Sequence, residues 1–421
     1  MRILRLRAYY DPERTPGIHL DHDLSEAFMN NNIHYVSYTP SPTRGVSKEI
    51  RKSYKNKKKE IIYNGFVEIN RFSMFGEGRN PLQRLIRYIA CSIKEYNLGV
   101  KSTDIDVVYS SSTPPTQGLI SFLVAKKLSK RYGRKVPFIY NLQDIFPDSL
   151  VTAKMTHKGS MIWKIGRKIE DYTYQNADKI IVISDDFKKN IVLKGVPEEK
   201  IVIIPNWIDS NTVHPVNREE NVLFDRFNLP RDKFYICYSG NIGHSQNIEM
   251  LLEAASRIEL LNDNIQFIII GEGAEKENLL LEIEKKKLNN VKVFPFQQYE
   301  DIAHVFSLGD VDLVISKKGT GGNSVPSKTW SIMAAGRPIL ASFDADSELV
   351  RLITKTQSGL YVDADDVNGF VETVIKLHAN EHERIIMGNN GRNYVKNNIS
   401  KEICTQKYIE TLRETTKDTE A

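Results

Sequence analysis

The chain has 421 residues, 41% of them hydrophobic and 26% charged, with a formal net charge of +5. That is the composition of an ordinary soluble globular protein, long for one domain and comfortable for two. No apolar run approaches the roughly 20 residues that cross a bilayer, no signal peptide precedes the first strand, and Cys91, Cys237 and Cys404 are too scattered for a metal cluster or a disulfide framework. The expectation is a cytoplasmic protein, free or peripheral on the inner face of the cell membrane.

Strands and helices alternate from the start. A strand over 2–10 leads into a Pro- and charge-rich loop, 11–17, then a helix over 19–30 and a strand over 33–38. The run 44–59 carries Arg44, Lys48, Arg51, Lys52, Lys55, Lys57, Lys58 and Lys59 against Glu49. It reads as a solvated loop or as an attraction to anionic lipid headgroups, worth about 1 kcal/mol per basic residue. Nucleic acid is not expected, because no recognition motif accompanies the charge. Residues 81–96 place Leu82, Leu85, Ile86, Ile89 and Ile93 at helical spacing. Such a helix packs on a core or lies in a membrane interface. Strands over 106–111, 137–142, 179–184 and 201–205 then alternate with helices over 117–132 and 164–176.

Residues 206–218 lack periodicity and read as a linker. The pattern then restarts, with strands over 234–239, 265–270, 291–294 and 311–316 and helices over 248–259, 274–287 and 299–308. Helices over 367–378 and 381–397 follow, and an amphipathic helix over 400–415. The expected organisation is therefore a Rossmann-like domain over 1–205, the linker 206–218, a second Rossmann-like domain over 219–397, and a segment 398–421 returning to the first. Ligands of doubly wound sheets bind at the carboxyl ends of the strands.

The richest motif is 324–341, SVPSKTWSIMAAGRPILA, a turn, a short helix stopped by Gly336, and a strand. Ser324, Pro326 and Ser327 favour a helix start, whose free N–H groups beside Lys328 suit a diphosphate. Gly240 and Gly243 in Ser239-Gly240-Asn241-Ile242-Gly243, and Gly271 and Gly273 in Gly271-Glu272-Gly273, follow strands and permit close backbone approach to a nucleotide. Gly319-Thr320-Gly321-Gly322 could curl around a phosphate or sugar.

With Tyr140-Asn141-Leu142-Gln143-Asp144-Ile145-Phe146-Pro147-Asp148-Ser149-Leu150, Pro205-Asn206-Trp207-Ile208-Asp209 and Ser358-Gly359-Leu360, these segments resemble the family 4 retaining glycosyltransferases, in the expected order. The likeness is closest to the O-antigen and capsule branch that includes N-acetylfucosaminyl transferases. The resemblance implies a GT-B fold, an α/β architecture of two doubly wound Rossmann-like domains facing across a cleft. It implies a nucleotide site in the second domain at Gly240, Asn241, Gly243, Gln246, Gly271, Gly273, Phe296, Lys318, Gly322, Asn323, Ser324, Pro326, Ser327, Lys328 and Ser331. Asn241 and Gln246 stand where the wider family has Arg and Lys, and Asn323 and Ser331 where it has two glutamates. The charge must then come from Lys328 first, or from Lys317 or Lys318. In the first domain Asp144 would orient the acceptor or the donor sugar, with Gly17, His19 and Gln143 on the acceptor side.

The implied reaction moves an N-acetylhexosamine, or its 6-deoxy form, from a UDP-sugar to a lipid-diphosphate-linked acceptor, with retention and with no metal or other cofactor. Asp104-Ile105-Asp106 and Asp344-Ala345-Asp346 have metal-pair spacing but read as a strand start and a helix cap. A non-hydrolysing UDP-N-acetylglucosamine 2-epimerase shares the fold, and a donor-binding scaffold would tolerate the missing glutamates.

Overall fold

The computed structural model describes residues 1–13, 17–77, 80–152, 155–320 and 325–417. The chain divides into two compact units, one of Met1–Pro205 with Cys404–Ala421 and one of Asn206–Ile403. Both are Rossmann-like.

The first unit begins with β1 (Arg2–Leu6), α1 (Ile18–Asn30), β2 (His34–Pro40), α2 (Lys48–Ser53), β3 (Lys59–Ile62), β4 (Val67–Phe72) and α3 (Pro81–Gly99). It continues through β5 (Val107–Ser111), α4 (Gln117–Tyr132), β6 (Phe138–Leu142), α5 (Asp148–Thr152), α6 (Met161–Asn176), β7 (Lys179–Val182), α7 (Asp185–Leu193) and β8 (Ile201–Ile203). Its sheet runs β3-β4-β2-β1-β5-β6-β7-β8, and only β3 is antiparallel to its neighbour. Central strands such as β6, FIYNL, are buried throughout, as strands covered on both faces must be.

The basic run is not the loop its composition suggested. Ser47 caps α2 by accepting from the N–H of Ile50, and Lys59 opens β3, where it pairs with Glu68 across the ladder at 3.1 Å. A short lysine-bearing strand closes the sheet edge against pairing with another chain. Lys57 also pairs with Glu60, at 2.7 Å.

The second unit holds α8 (Leu223–Arg226), β9 (Phe234–Ser239), α9 (Ile248–Leu261), β10 (Ile265–Ile270), α10 (Lys276–Lys286), β11 (Val291–Phe294) and α11 (Ile302–Phe306). Then come β12 (Val311–Ile315), α12 (Lys328–Ala334), β13 (Ile339–Phe343), α13 (Glu348–Thr356), β14 (Gly359–Asp363), α14 (Val367–Ala379) and α15 (Glu381–Tyr394). Its parallel sheet runs β11-β10-β9-β12-β13-β14. The chain winds outward from β9 and then returns to β12, so the strand order reverses between those two. In the first unit the same reversal lies between β1 and β5. These reversals open the crevices where doubly wound sheets take ligands.

The last helix, α16 (Lys401–Lys417), carries the chain back to the first unit. There Tyr408 meets the edge of Tyr109, with ring centroids 6.2 Å apart. Arg5 lies over the same Tyr109 ring, 4.9 Å from its centroid. Arg5 and Arg7 both pair with Asp21 of α1, at 2.6 and 2.8 Å. Burial alone would raise the Asp21 carboxyl, but the two guanidinium groups override it and hold the group below the usual range. Asp21 therefore anchors α1 to β1. Asp21→Asn leaves two buried cations without a counter-charge and should destabilise the first unit by about 3–5 kcal/mol, read from denaturant unfolding. The wild-type contribution is present above the ordinary carboxylate pKa near 3.8 and is lost as pH falls below it.

Candidate functional site

At the β9–β12 reversal the glycines serve the backbone before they serve any ligand. A Cβ on Gly271 would lie 2.1 Å from the carbonyl oxygen of Gly240, and one on Gly273 would lie 2.1 Å from that of Ile242. The N–H of Ile242 donates to Glu272 O at 2.8 Å, and Glu275 N–H returns to Ile242 O at 3.0 Å. The loops after β9 and β10 are thus laced together. Gln246 accepts from the N–H of Gly243 at 3.0 Å and closes its own turn. The Asn241 carbonyl accepts from the Tyr238 hydroxyl at 2.7 Å.

Lys328 projects into this frame. Its ammonium lies 3.7 Å from the centroid of the Tyr238 ring. A Cβ on Gly240 would come within 2.9 Å of the same nitrogen and displace the lysine end, and the φ of 145° at this position itself favours glycine. Burial lowers the Lys328 pKa to about 7, against a smaller upward pull from Asp312. Asp312, on β12, is 1% exposed and neither carboxylate oxygen has a hydrogen-bond partner. Its burial pushes the carboxyl well above its ordinary value, with Arg337 and Lys328 opposing. Among the described residues no hydrogen-bond acceptor pairs with the Lys328 amine, whose charged form an anionic ligand would favour.

The surrounding residues follow the β12 and β13 loops. Lys317 N–H donates to Ser245 O at 2.8 Å, while the Lys318 side chain is exposed. Gly319 N–H donates to both carboxylate oxygens of Asp344, at 2.9 and 3.0 Å. Asp344 therefore pins the loop and is not a helix cap. Ser347 caps α13, accepting from Val350 N–H. Ser327 is likewise no cap: its backbone is already helical and its side chain makes no capping bond. The carbonyl of Pro326 accepts from Thr329 N–H at 2.9 Å. Ser331 is half-buried on α12, and Phe296 is exposed beyond β11. Gly322, Asn323 and Ser324 lie outside the described residues.

In the first unit, Ser112 accepts at 3.0 Å from the N–H groups of both Gln143 and Asp144, fixing the loop after β6. Asp144 accepts from the Ser149 hydroxyl at 3.1 Å, and partial burial raises its carboxyl pKa. Gln143 donates to Asn141 at 3.0 Å. Gly17 caps α1 with a left-handed φ of 76°. His19 follows on the first turn, where lost hydration lowers its pKa. Its neighbours are committed elsewhere, Asp21 to the arginines and His22 to the Tyr63 hydroxyl at 3.0 Å. Among the described residues no group of three or more His, Cys, Asp or Glu is placed to hold a metal ion.

The structure brings Gly240, Asn241, Gly243, Gln246, Gly271, Gly273 and Lys328 together. Tyr238, Asp312 and Ser112 escaped sequence reasoning, and Asp344 read as a helix cap, because each acts on a partner remote in the chain or through the backbone. A concavity of about 300 Å³ between α9 and α10 is lined by Glu249, Glu253, Glu275 and Glu282 together with Gln246, Lys286 and Lys317.

Two family models match the chain. "Glycosyltransferase Family 4" spans residues 22–212 and "Glycosyl transferases group 1" spans residues 219–394. The putative colanic acid biosynthesis glycosyl transferase WcaI of Escherichia coli K12 is 27% identical over 292 residues, covering 68% of this chain and 69% of that protein. The probable glycosyltransferase WbjE of Pseudomonas aeruginosa is 26% identical over 340 residues, covering 79% and 82%. Among solved structures, Anabaena HepE in complex with UDP superposes with a TM-score of 0.71 at 13% identity, covering 98% of this chain and 100% of that one.

Gly271→Ala should cost about 3 kcal/mol in the second unit, since the obstructing atom is backbone and neither loop can yield alone. Thermal unfolding of the variant measures it. Selective NMR of methylated lysines in the free protein should show one lysine, lost in Lys328→Met, titrating near pH 7.

Proposed function

The chain belongs to the glycosyltransferases of the GT-B fold that join these two modules, and on that premise we propose a metal-independent, retaining transfer from a UDP-sugar to a lipid-diphosphate-linked acceptor. The sugar is an N-acetylhexosamine or its 6-deoxy form, and the product is a bacterial surface polysaccharide of capsule or O-antigen type. The protein works at the inner face of the cell membrane, reached through the basic run 44–59 and helix 81–96. The colanic acid relative and the UDP-bound neighbour support the class of product and of donor.

The observation that carries the reading is Lys328, a half-buried lysine whose amine lies against the Tyr238 ring at the glycine-lined reversal of the second sheet. A leaving diphosphate supplies the anion that this amine lacks, and a cation aimed at developing phosphate charge favours departure. Phe296, exposed, offers a ring to the base. The acceptor oxygen bonds to the anomeric carbon on the face that the phosphate oxygen leaves, and its proton passes to that phosphate. Asp144 orients the reacting hydroxyl. Gly17, His19 and Gln143 flank the acceptor, while Lys318, Pro326, Ser327 and Ser331 line the donor.

Titration of the protein with UDP, GDP and ADP in EDTA tests this reading. UDP alone should bind. Because free Lys328 is largely neutral above pH 7, binding at pH 8 should take up close to one proton, and affinity should fall as pH rises beyond 7. Calorimetry in two buffers of different ionisation enthalpy reads the uptake directly. Lys328→Ala should weaken UDP more than tenfold, about 1.4 kcal/mol, and abolish the uptake. Equal affinity in the variant would remove Lys328 from the diphosphate site. Binding of no nucleotide would favour a scaffold without donor chemistry.

A further inference from the structure

The loop after β9 turns one backbone donor away from its own lattice of hydrogen bonds. The carbonyl oxygen of Gly240 faces Gly271, where a Cβ would stand 2.1 Å from it. The Gly240–Asn241 peptide is trans, which sets the next N–H antiparallel to that carbonyl. The N–H of Asn241 therefore points away from the loop after β10. Its neighbours do the reverse: Gly240 N–H donates to Ile270 O at 3.0 Å, and Ile242 N–H to Glu272 O at 2.8 Å. The Asn241 side chain folds back over Gly243, where a Cβ would meet its amide nitrogen at 2.6 Å.

Tyr238 meets this segment twice. It is fully buried on β9. Its hydroxyl donates to the Asn241 carbonyl at 2.7 Å, and that carbonyl shares a peptide plane with the Ile242 N–H. The plane is held at both ends, by Tyr238 and by Glu272. With the plane before Asn241 fixed against Gly271 as well, the residue cannot turn its N–H. The ring of the same tyrosine lies under the Lys328 ammonium, 3.7 Å from nitrogen to centroid. That nitrogen stands beside Gly240, 2.9 Å from where a Cβ would be. One side chain thus places an amine and a main-chain donor against the same glycine.

We infer that Tyr238 is a positioning residue for the donor diphosphate: its hydroxyl aims the Asn241 N–H and its ring seats the Lys328 amine, so that both donors converge on one phosphate group. This rests on the UDP-sugar reading above and deepens it by naming what orients the diphosphate donors. A backbone N–H beside a cation is a preorganised anion site, and neither donor has to move as charge builds on the leaving group. The main chain of Asn241 then supplies a donor where the arginine of the resembling family is missing. Fully buried, Tyr238 reaches the ligand only through these two groups.

The test uses the full chain carrying isotope-labelled asparagine, titrated with UDP and, separately, with inorganic pyrophosphate at about pH 6, where Lys328 is largely charged. The Asn241 amide resonance, assigned by its loss in Asn241→Ser, should move downfield as the N–H gains a phosphate acceptor. Tyr238→Phe keeps the ring and removes the hydroxyl. It should weaken both ligands about fivefold, the magnitude of one ordinary hydrogen bond, and shrink the Asn241 shift. The Lys328 titration should stay near pH 7 in that variant. In Tyr238→Leu, which lacks the ring, the lysine midpoint should rise toward its ordinary value as the amine regains water; an unchanged midpoint there overturns the part given to the ring. Tyr238→Phe that binds like wild type, or a wild-type Asn241 amide unmoved by bound ligand, overturns the inference and leaves the donor reading intact. Tyr238→Phe that loses affinity yet keeps the full Asn241 shift makes the hydroxyl merely structural and overturns it too. If pyrophosphate binds and moves the Asn241 amide while UDP binds no better, the inference stands and the uridine reading falls. Protein that binds neither ligand overturns both.

Discussion

The second unit depends on one contact between two pieces of backbone. Gly271 approaches the Gly240 carbonyl so closely that a methyl group could not stand between them. Because the loops after β9 and β10 meet without side chains, they can be laced by direct N–H to carbonyl bonds. That sets where Gly240 lies, and the missing Cβ of Gly240 leaves the space that the Lys328 ammonium fills above Tyr238. Lysine chemistry at the sheet reversal is thus a consequence of glycine packing two strands away.

The two units treat buried charge in opposite ways. In the first, Asp21 satisfies Arg5 and Arg7 within hydrogen-bond distance, and the triad ties helix to strand. In the second, burial drives both Lys328 and Asp312 toward their neutral forms, and among the described residues no ion pair holds them. A paired charge stabilises the fold, whereas an unpaired amine near neutrality leaves its interaction free energy for a ligand.

Much of this was legible in the residues. Parallel sheets announced themselves as apolar runs alternating with helical periodicities, and the glycine-bearing strand ends and Lys328 stood out by composition. What was hidden has physical reasons. Periodicity located the apolar stripe of α3 but could not say which way it points, because Arg87, Cys91 and Glu95 recur with the same helical spacing on the other side. The charge density of 44–59 concealed β3, whose lysine stands on a sheet edge and pairs with Glu68 of the neighbouring strand. Tyr238 and Lys328 are ninety residues apart, and no local pattern pairs them. The Gly-x-Gly segments were legible as close approaches, but the approaching group proved to be another loop.

The return of the chain through α16 has a practical meaning for dissection of the molecule. A fragment ending at Pro205 would contain every strand of the first sheet and still be incomplete, since Tyr408, Ile409 and Leu412, all buried, arrive from the far end of the sequence. Removing them would bare Tyr109 and the Arg5 side chain beneath it. The first unit is therefore discontinuous in the gene. Ribosomal synthesis finishes the second unit before the first can close, so cotranslational folding cannot proceed strictly from the N-terminus. An autonomous version of the first unit calls for a circularly permuted design that joins residues 404–417 directly to the fragment.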